Sequence, residues 1–249
     1  MSLRFHEIAE TTHDILNPIT EDKLMLLGEI GGFKAGMRQL DLCCGKGEML
    51  SRWAAQYGIS GLGVDISEVF LSAAARRAAE LGVQDRVNFL KSDAAEYARN
   101  QTGTYDIVSC IGATWIGNGL IGTLDLMKPL VKPEGLLLVG EPYLIDPPPF
   151  EAYSAWGFSP ADYTSLTGTL DRFEKAGCEL VEMVLASLDS WDRYEAAQWM
   201  AVDDYLRAHP DDPEADALRR WIRENRRAYL TYGRRYLGWG VFVLRKGEA

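Results

Sequence analysis

The sequence predicts an α/β fold, with a mostly parallel sheet of seven strands, helices on both faces and a helical insertion before the last strand. Three observations predict it. Between residues 38 and 144, short β-rich runs alternate with amphipathic helical runs. The proline run at 147–149 ends this pattern, because such a segment is neither a helix nor a central strand. Beyond it, a helical stretch at 189–237 separates the last two strand-like runs.

The predicted strands and helices follow each other in an order typical of parallel sheets, in which a helix connects successive strands. Ser67 is a suitable N-cap for the second of these helices, and Gly82 ends it. The strands are predicted at 39–43, 62–65, 87–90, 105–111, 136–143, 180–186 and 239–244. The other helices are predicted at 48–57, 120–130, 166–176, 191–209 and 213–232. Ligands of such sheets bind at the carboxyl ends of the strands.

Composition and charge exclude several classes of protein. The chain is 47% apolar and 25% charged, as expected for a globular protein. Its net charge of −10 is opposite in sign to that of a nucleic-acid-binding surface, so no nucleic-acid partner is expected. We also expect no membrane partner and a cytoplasmic location, since the sequence has neither a long apolar span nor a signal-peptide core. The spacing of its four cysteines and three histidines predicts no metal site.

The main chemical signal is the segment 41–48, DLCCGKGE, between the first strand and the first helix. Its glycines let the backbone turn sharply and approach a ligand closely. A dinucleotide fingerprint would need a third glycine where Leu50 stands. Asp41 and Glu48 place negative charge where a diphosphate needs a positive helix end, so they favour a ligand with an amino group. An ordinary strand-to-helix turn is the alternative.

This segment resembles the first motif of class I S-adenosylmethionine-dependent methyltransferases, which reads acid-x-Gly-x-Gly-x-Gly. Here Asp41 is the acid, Cys43 replaces the first glycine, and Gly45 and Gly47 are kept. The resemblance covers residues 36–144 and, more weakly, the last two strands. It implies a Rossmann-like fold with S-adenosyl-L-methionine as cofactor. The whole chain is similar to a small bacterial group of these enzymes that has no assigned substrate.

Four further motifs carry the resemblance. Asp65 ends the second strand, where a carboxylate has two acceptor oxygens for the two ribose hydroxyls. Asp93 follows the third strand, where the family holds the adenine, although it is also a suitable N-cap for a short helix. Ile111 borders the methionine part, and the fifth motif, at 130–136, turns into the fifth strand. The resemblance implies a cofactor-binding set of Asp41, Cys43, Gly45, Gly47, Asp65, Ile66, Asp93, Ala94 and Ile111.

The methyl acceptor must reach the cofactor over the ends of strands four and five. Glu141 is a candidate base or ammonium-binding group, or else a structural carboxylate. Trp115 is a candidate for packing on substrate through its π face, or else a lid or core side chain. His13 is a candidate if the N-terminal segment folds over the opening, and is otherwise exposed or capping. A base is needed only if the nucleophile must lose a proton, and the sequence leaves the acceptor open.

Two groups of charged residues are predicted to be structural. Asp106 starts the fourth strand, far from the ligand edge, and is expected to serve a turn. The arginines of the late helix and the turn after it are expected to form a solvated face, with a site for an acidic substrate as the alternative. They are Arg219, Arg220, Arg223, Arg226, Arg227, Arg234 and Arg235.

The chain is predicted to be one domain, 1–249, with an N-terminal helical segment at 1–35, a cofactor-binding core at 36–188, an insertion at 189–237 and the last strand at 238–249. The insertion is too rich in aromatic residues for a disordered loop. We expect it to form, with the segment around 13–18, a helical cap that closes the pocket and sets substrate choice. Alternatively, its helices pack on the outer face or form a contact in a homodimer.

Three functions fit the sequence. The first is a methyltransferase that acts on a small-molecule acceptor. The second is a module that binds S-adenosylmethionine without turnover. The third is a dinucleotide-dependent oxidoreductase, which the missing third glycine argues against.

Overall fold

The structure is a computed structural model that describes residues 2–101 and 105–247. Its strands are β1 (Arg38–Leu42), β2 (Ser60–Asp65), β3 (Val87–Lys91), β4 (Tyr105–Ile111), β5 (Val131–Leu144), β6 (Cys178–Leu185) and β7 (Leu237–Lys246). They form one seven-stranded sheet in the order β3-β2-β1-β4-β5-β7-β6. Strands β1 to β5 pair in parallel, and β7 is antiparallel to both β5 and β6. The predicted fold class is therefore confirmed.

Helices cover both faces of this sheet. They are α1 (Leu3–Ala9), α2 (Glu21–Ile30), α3 (Glu48–Tyr57), α4 (Glu68–Glu80), α5 (Ala94–Arg99), α6 (Leu120–Met127), α7 (Phe150–Trp156), α8 (Leu166–Lys175), α9 (Leu188–Ala208), α10 (Ala215–Ala228) and α11 (Arg234–Tyr236). One face packs against α2, α3 and α4, and the other against α5, α6 and α8. Ser67 caps α4 by accepting a hydrogen bond from the backbone N–H of Phe70, as its position predicts.

The alternation of side chains along β5 assigns each residue to one of two cores. Leu137 and Val139 belong to the core under α6 and α8. Leu136 and Leu138 belong to the core under α2 and α3. Because successive side chains point to opposite faces, this phase also decides which residues near the end of β5 face a ligand.

The insertion packs against the N-terminal helix. A third apolar cluster joins Phe5 and Ile8 of α1 to Val202 of α9 and Leu218 of α10. Arg4 adds hydrogen bonds to Tyr205, Asp212 and Glu214 at the α9–α10 connection. Helix α1 and the insertion therefore share one layer, whereas α2 packs on a face of the sheet. Across the described ranges, no helix is both long and apolar enough to cross a bilayer.

Most boundaries differ from the prediction by a few residues, and three larger differences concern β5, α7 and α10. Strand β5 begins at Val131, because Val131 pairs with Tyr105 before a register shift in the β4–β5 pair. Residues 150–156 form α7, which starts directly after Pro149 and was missed. The predicted helix at 213–232 ends as α10 at Ala228 and continues as a π-helical turn, Tyr229–Gly233.

Candidate functional site

The loop between β1 and α3 depends on three left-handed residues. Gly45 and Gly47 have φ values of 53° and 62°. A Cβ atom on Gly45 would lie 2.7 Å from Leu16, and one on Gly47 would lie 2.5 Å from the ring of Phe89. Both positions therefore require glycine. Cys43 is a non-glycine residue in the same region, with a φ of 60°.

Asp65 organises this loop. Its Oδ2 accepts a hydrogen bond of 2.8 Å from the backbone N–H of Gly45, and its Oδ1 accepts one of 2.8 Å from that of Ser67. The carboxylate thus ties the glycine loop to the N-terminus of α4. A carboxylate oxygen accepts two hydrogen bonds, so each oxygen keeps one acceptor position.

Two acids, one near the end of β1 and one at the start of α3, have different surroundings. Asp41 is buried and accepts a hydrogen bond of 2.7 Å from Ser109 Oγ. Burial raises the pKa of Asp41 to about 7, with the nearby Asp65 adding to the shift. Glu48 forms ion pairs with Arg52 and Arg77. Asp41 therefore remains an acceptor for a ligand amino group, whereas the charge of Glu48 is neutralised within the protein.

A cavity of about 730 Å³ opens beside this loop and extends under the insertion. Gly47 does not line it and serves the turn alone. Asp93 lines it and also accepts a hydrogen bond of 2.8 Å from the backbone N–H of Glu96, which caps α5. The predicted cofactor-binding residues in its wall are Asp41, Cys43, Gly45, Asp65, Ile66, Asp93, Ala94 and Ile111.

A polar cluster between α1 and α9 was not predicted from the sequence. Glu10 is fully buried and accepts hydrogen bonds from Tyr194 Oη (2.6 Å) and Gln198 Nε2 (2.9 Å). Glu195 lines the cavity, and its Oε1 accepts a hydrogen bond of 3.1 Å from Trp191 Nε1. Burial raises the pKa of Glu195 to about 7. The spacing of positions 191, 194, 195 and 198, which fall on one helical face, is the signal that identifies this group.

Comparisons with known proteins identify the family. A family model described as a methyltransferase domain matches residues 40–135. The chain is 44% identical over 243 residues to the uncharacterized protein YjhP of Escherichia coli strain K12, covering 97% of each. The crystal structure of a SAM-dependent methyltransferase from Geobacter sulfurreducens, in complex with S-adenosyl-L-homocysteine, matches with 42% identity, a TM-score of 0.92 and 98% of each chain.

The chain belongs to the S-adenosylmethionine-dependent methyltransferases. A second enzyme of this description, from Thiobacillus denitrificans, was also solved with S-adenosyl-L-homocysteine and matches with 41% identity, 99% of each chain and a TM-score of 0.92. The predicted family, its Rossmann-like fold and the enzyme class are therefore confirmed. The names of these three relatives identify no methyl acceptor.

Glu141, the candidate base of this methyltransferase, lies outside the cavity wall. Its neighbour Pro142 lines the cavity, so Glu141 points to the opposite face of the sheet. There it is 1% exposed, interacts with Thr114 and lies 4.0 Å from Arg172 Nη1. Burial raises its pKa to about 7. This geometry is that of a structural carboxylate. It corrects the expectation that Glu141 faces the acceptor as a base or ammonium-binding group.

The other two candidates are placed differently. His13 does not line the cavity, which corrects the expectation that its ring reaches the opening. Its ring packs against Tyr194, with centroids 4.7 Å apart, and its Nδ1 lies 3.0 Å from Glu10 Oε2. Trp115 lines the cavity and is 67% exposed, so it stands at the mouth.

Lys46 is part of the cavity wall. Its Nζ donates hydrogen bonds to the backbone carbonyls of Glu10 (2.8 Å), Thr11 (3.1 Å) and His13. The glycine loop thereby holds the N-terminal segment over the cavity. Within residues 2–101 and 105–247, no cluster of three His, Cys, Asp or Glu side chains is arranged to hold a metal ion.

Proposed function

We propose that this methyltransferase transfers the methyl group of S-adenosylmethionine to a small-molecule acceptor held in the same cavity. The observation that carries the proposal is the continuity of the cavity. It runs from the loop acids Asp41 and Asp65 to the aromatic side chains of the insertion, Trp191 and Tyr229. One enclosed space therefore has a polar end and an aromatic end, as expected for two reactants that must meet.

The hydrogen-bonding capacity of the polar end fits the cofactor. The two remaining acceptor positions of Asp65 suit the two ribose hydroxyls. Asp41 would hold the amino group, and Asp93 with Ala94 would hold the adenine. The missing Cβ of Gly45 leaves room for Leu16 of the N-terminal segment to pack on the loop. When bound, S-adenosylmethionine supplies a methyl group on a positively charged sulfur that a nucleophile displaces.

The N-terminal segment and the insertion act as the cap in this proposal. Leu16 and Asn17 line the cavity from one side, and Trp191, Glu195 and Tyr229 line it from the other. Such a cover excludes water and aligns the acceptor. It also favours a small molecule over a nucleic acid, in agreement with the net charge of −10. A homodimer and a cytoplasmic location remain predictions.

Of the two alternatives, the oxidoreductase has no support, since the chain belongs to a methyltransferase family. A module without turnover differs from the proposed enzyme in one measurable way. Methyl transfer from labelled cofactor to a fraction of a bacterial metabolite extract is expected for the enzyme. A protein that binds S-adenosylhomocysteine but labels no fraction, at several pH values and with fresh extract, would contradict the proposal.

Cofactor binding is tested with Asp65→Ala. The variant loses the ribose acceptors, so S-adenosylhomocysteine should bind more weakly by roughly 1.5–3 kcal/mol in titration calorimetry. It also leaves the N–H groups of Gly45 and Ser67 unpaired, so its stability must be measured in parallel. Asp106→Ala is the matched control, because Asp106 accepts hydrogen bonds from Arg38 and Lys132 outside the cavity. Equal affinity in both variants would reject the assignment of Asp65.

A further inference from the structure

The acceptor end of the cavity has a definite chemical character. Its walls are flat aromatic faces contributed by β7, the insertion and the chain around α7. Trp191 and Tyr229 lie with ring centroids 6.2 Å apart, and Trp156 and Phe158 with centroids 6.1 Å apart. Trp156, Phe158, Trp191, Tyr229 and Trp239 are among the aromatic residues that line the cavity. A flat apolar molecule can pack against such rings.

The basic side chains of the cavity wall are already engaged with protein groups and do not pair with an anionic ligand. Within the described residues, Lys46 and His6 are the basic side chains that line the cavity. Lys46 Nζ already donates to three backbone carbonyls. His6 Nδ1 lies 4.0 Å from Glu10 Oε1. A carboxylate or phosphate on the acceptor would therefore be buried without a cationic partner, which is unfavourable.

Apart from Asp14, which is exposed, and Asp41, which is assigned to the cofactor, the acids of the same wall other than Glu195 are engaged within the protein. Asp65 binds two backbone N–H groups, Asp93 caps α5, and Glu48 is paired with arginines. Glu195 lies on α9 beside Trp191, and one hydrogen bond, from that indole to Oε1, is its contact within the described part of the chain. Its second oxygen is free to accept.

We infer that the acceptor is a flat apolar molecule that carries a positively charged amino group, and that the carboxylate of Glu195 binds this group beside the aromatic side chains of the wall. This inference rests on the proposed function and adds the substrate class to it. A carboxylate supplies charge-assisted hydrogen bonds to an ammonium, and aromatic faces attract cations at close range. The arrangement selects against the corresponding acid, because the same carboxylate repels it.

Three probes of similar shape test the inference. Phenethylamine, 2-phenylethanol and 3-phenylpropionate carry a positive, neutral and negative group on the same phenyl body. Their binding is measured by calorimetry on the protein saturated with S-adenosylhomocysteine, so that the cofactor's own sites are filled. The amine is expected to bind about 10- to 100-fold more tightly than the alcohol, with the carboxylate weakest. A carboxylate that binds most tightly would overturn the inference.

Glu195→Gln assigns the effect to the residue. Glutamine keeps the side-chain shape and an oxygen for the Trp191 indole, so the variant should fold. Its affinity for phenethylamine should fall about 10- to 100-fold, while that for 2-phenylethanol stays unchanged. Asp204→Asn, at an exposed acid of the same helix that does not line the cavity, is the matched control and should change neither affinity.

The outcomes separate the inference from the proposed function. If the wild-type protein fails to bind S-adenosylhomocysteine at all, the proposed function falls. If it binds S-adenosylhomocysteine and Glu195→Gln leaves the amine affinity unchanged, only the inference about Glu195 falls. If Glu195→Gln weakens the binding of S-adenosylhomocysteine as much as that of phenethylamine, Glu195 serves the cofactor and the inference is likewise wrong.

Discussion

At the scale of single residues, Cys43 shows how the glycine loop departs from the usual pattern of the family. It adopts a φ of 60°, where an L-residue has an unfavourable contact between Cβ and the carbonyl oxygen. Its side chain also packs against the core beside Cys110. The left-handed backbone of Cys43 therefore destabilises the fold, whereas the packing of its side chain stabilises it.

A pair of variants separates these two contributions. Cys43→Ala and Cys43→Gly both remove the sulfur, but only glycine relieves the left-handed backbone. We expect Cys43→Gly to be about 1 kcal/mol more stable than Cys43→Ala in urea unfolding. An alanine variant that equals or exceeds the glycine variant would show that the backbone at this position carries no strain.

Glu141 makes stability depend on pH. Its pKa is raised from 4.5 to about 7 by burial, so folding favours the protonated form. The stability that the protonated Glu141 side chain contributes to the folded state is fully present below pH 4.5 and is lost as pH rises through 7. Glu141→Gln removes the titration, so the variant should gain roughly 1–3 kcal/mol relative to the wild type between pH 5 and pH 8. The exposed Glu134→Gln is the control and should follow the wild-type curve in chemical denaturation at each pH.

At the scale of elements, local patterns predicted the sheet well because each strand and helix of the core has its own periodicity. The loop after β1 and the acid at the end of β2 were also found, since their chemistry is local in sequence. The orientation of Glu141 was not found, because the central run of β5, residues 136–139, is apolar on both faces and does not reveal which face the last residues occupy. Glu10 was missed because its partners lie far away on α9.

The N-terminal segment is attached to the core by one side chain in particular. Lys46→Met keeps the length of the side chain but removes three hydrogen bonds to the carbonyls of Glu10, Thr11 and His13. We expect a loss of roughly 1.5–3 kcal/mol in unfolding free energy. Faster hydrogen exchange in residues 10–14, measured by mass spectrometry, should accompany it.

Lys91→Met is the comparison for this variant, because Lys91 forms an exposed ion pair with Glu68 on the surface. Such pairs contribute little to stability, so neither unfolding nor exchange should change. If Lys46→Met behaves in the same way, the segment is held by the apolar contacts of α1 and by the hydrogen bonds of Arg4 and Glu10 to the insertion.

At the scale of the whole molecule, charge and architecture point to the same kind of ligand. Asp and Glu total 36 against 26 Lys and Arg. The cavity shares this acidic character and is roofed by two segments that are distant in sequence, residues 14–19 and the helix α9. A long polyanion is therefore repelled at a distance and has no open groove to enter.

The arginine-rich face of α10 is the one place where this conclusion can fail. Arg219, Arg223 and Arg226 line a shallow pocket between α9 and α10, but Asp203 lies in the same pocket and Arg219 pairs with Asp216. Because a complex made only through such a patch is lost as salt rises, we expect no complex with tRNA or duplex DNA in a gel-shift assay at about 0.15 M salt. A salt-resistant complex that Arg223→Glu abolishes would instead make this face a nucleic-acid site. Band shifts confined to low salt, unchanged in Arg223→Glu, would agree with non-specific attraction.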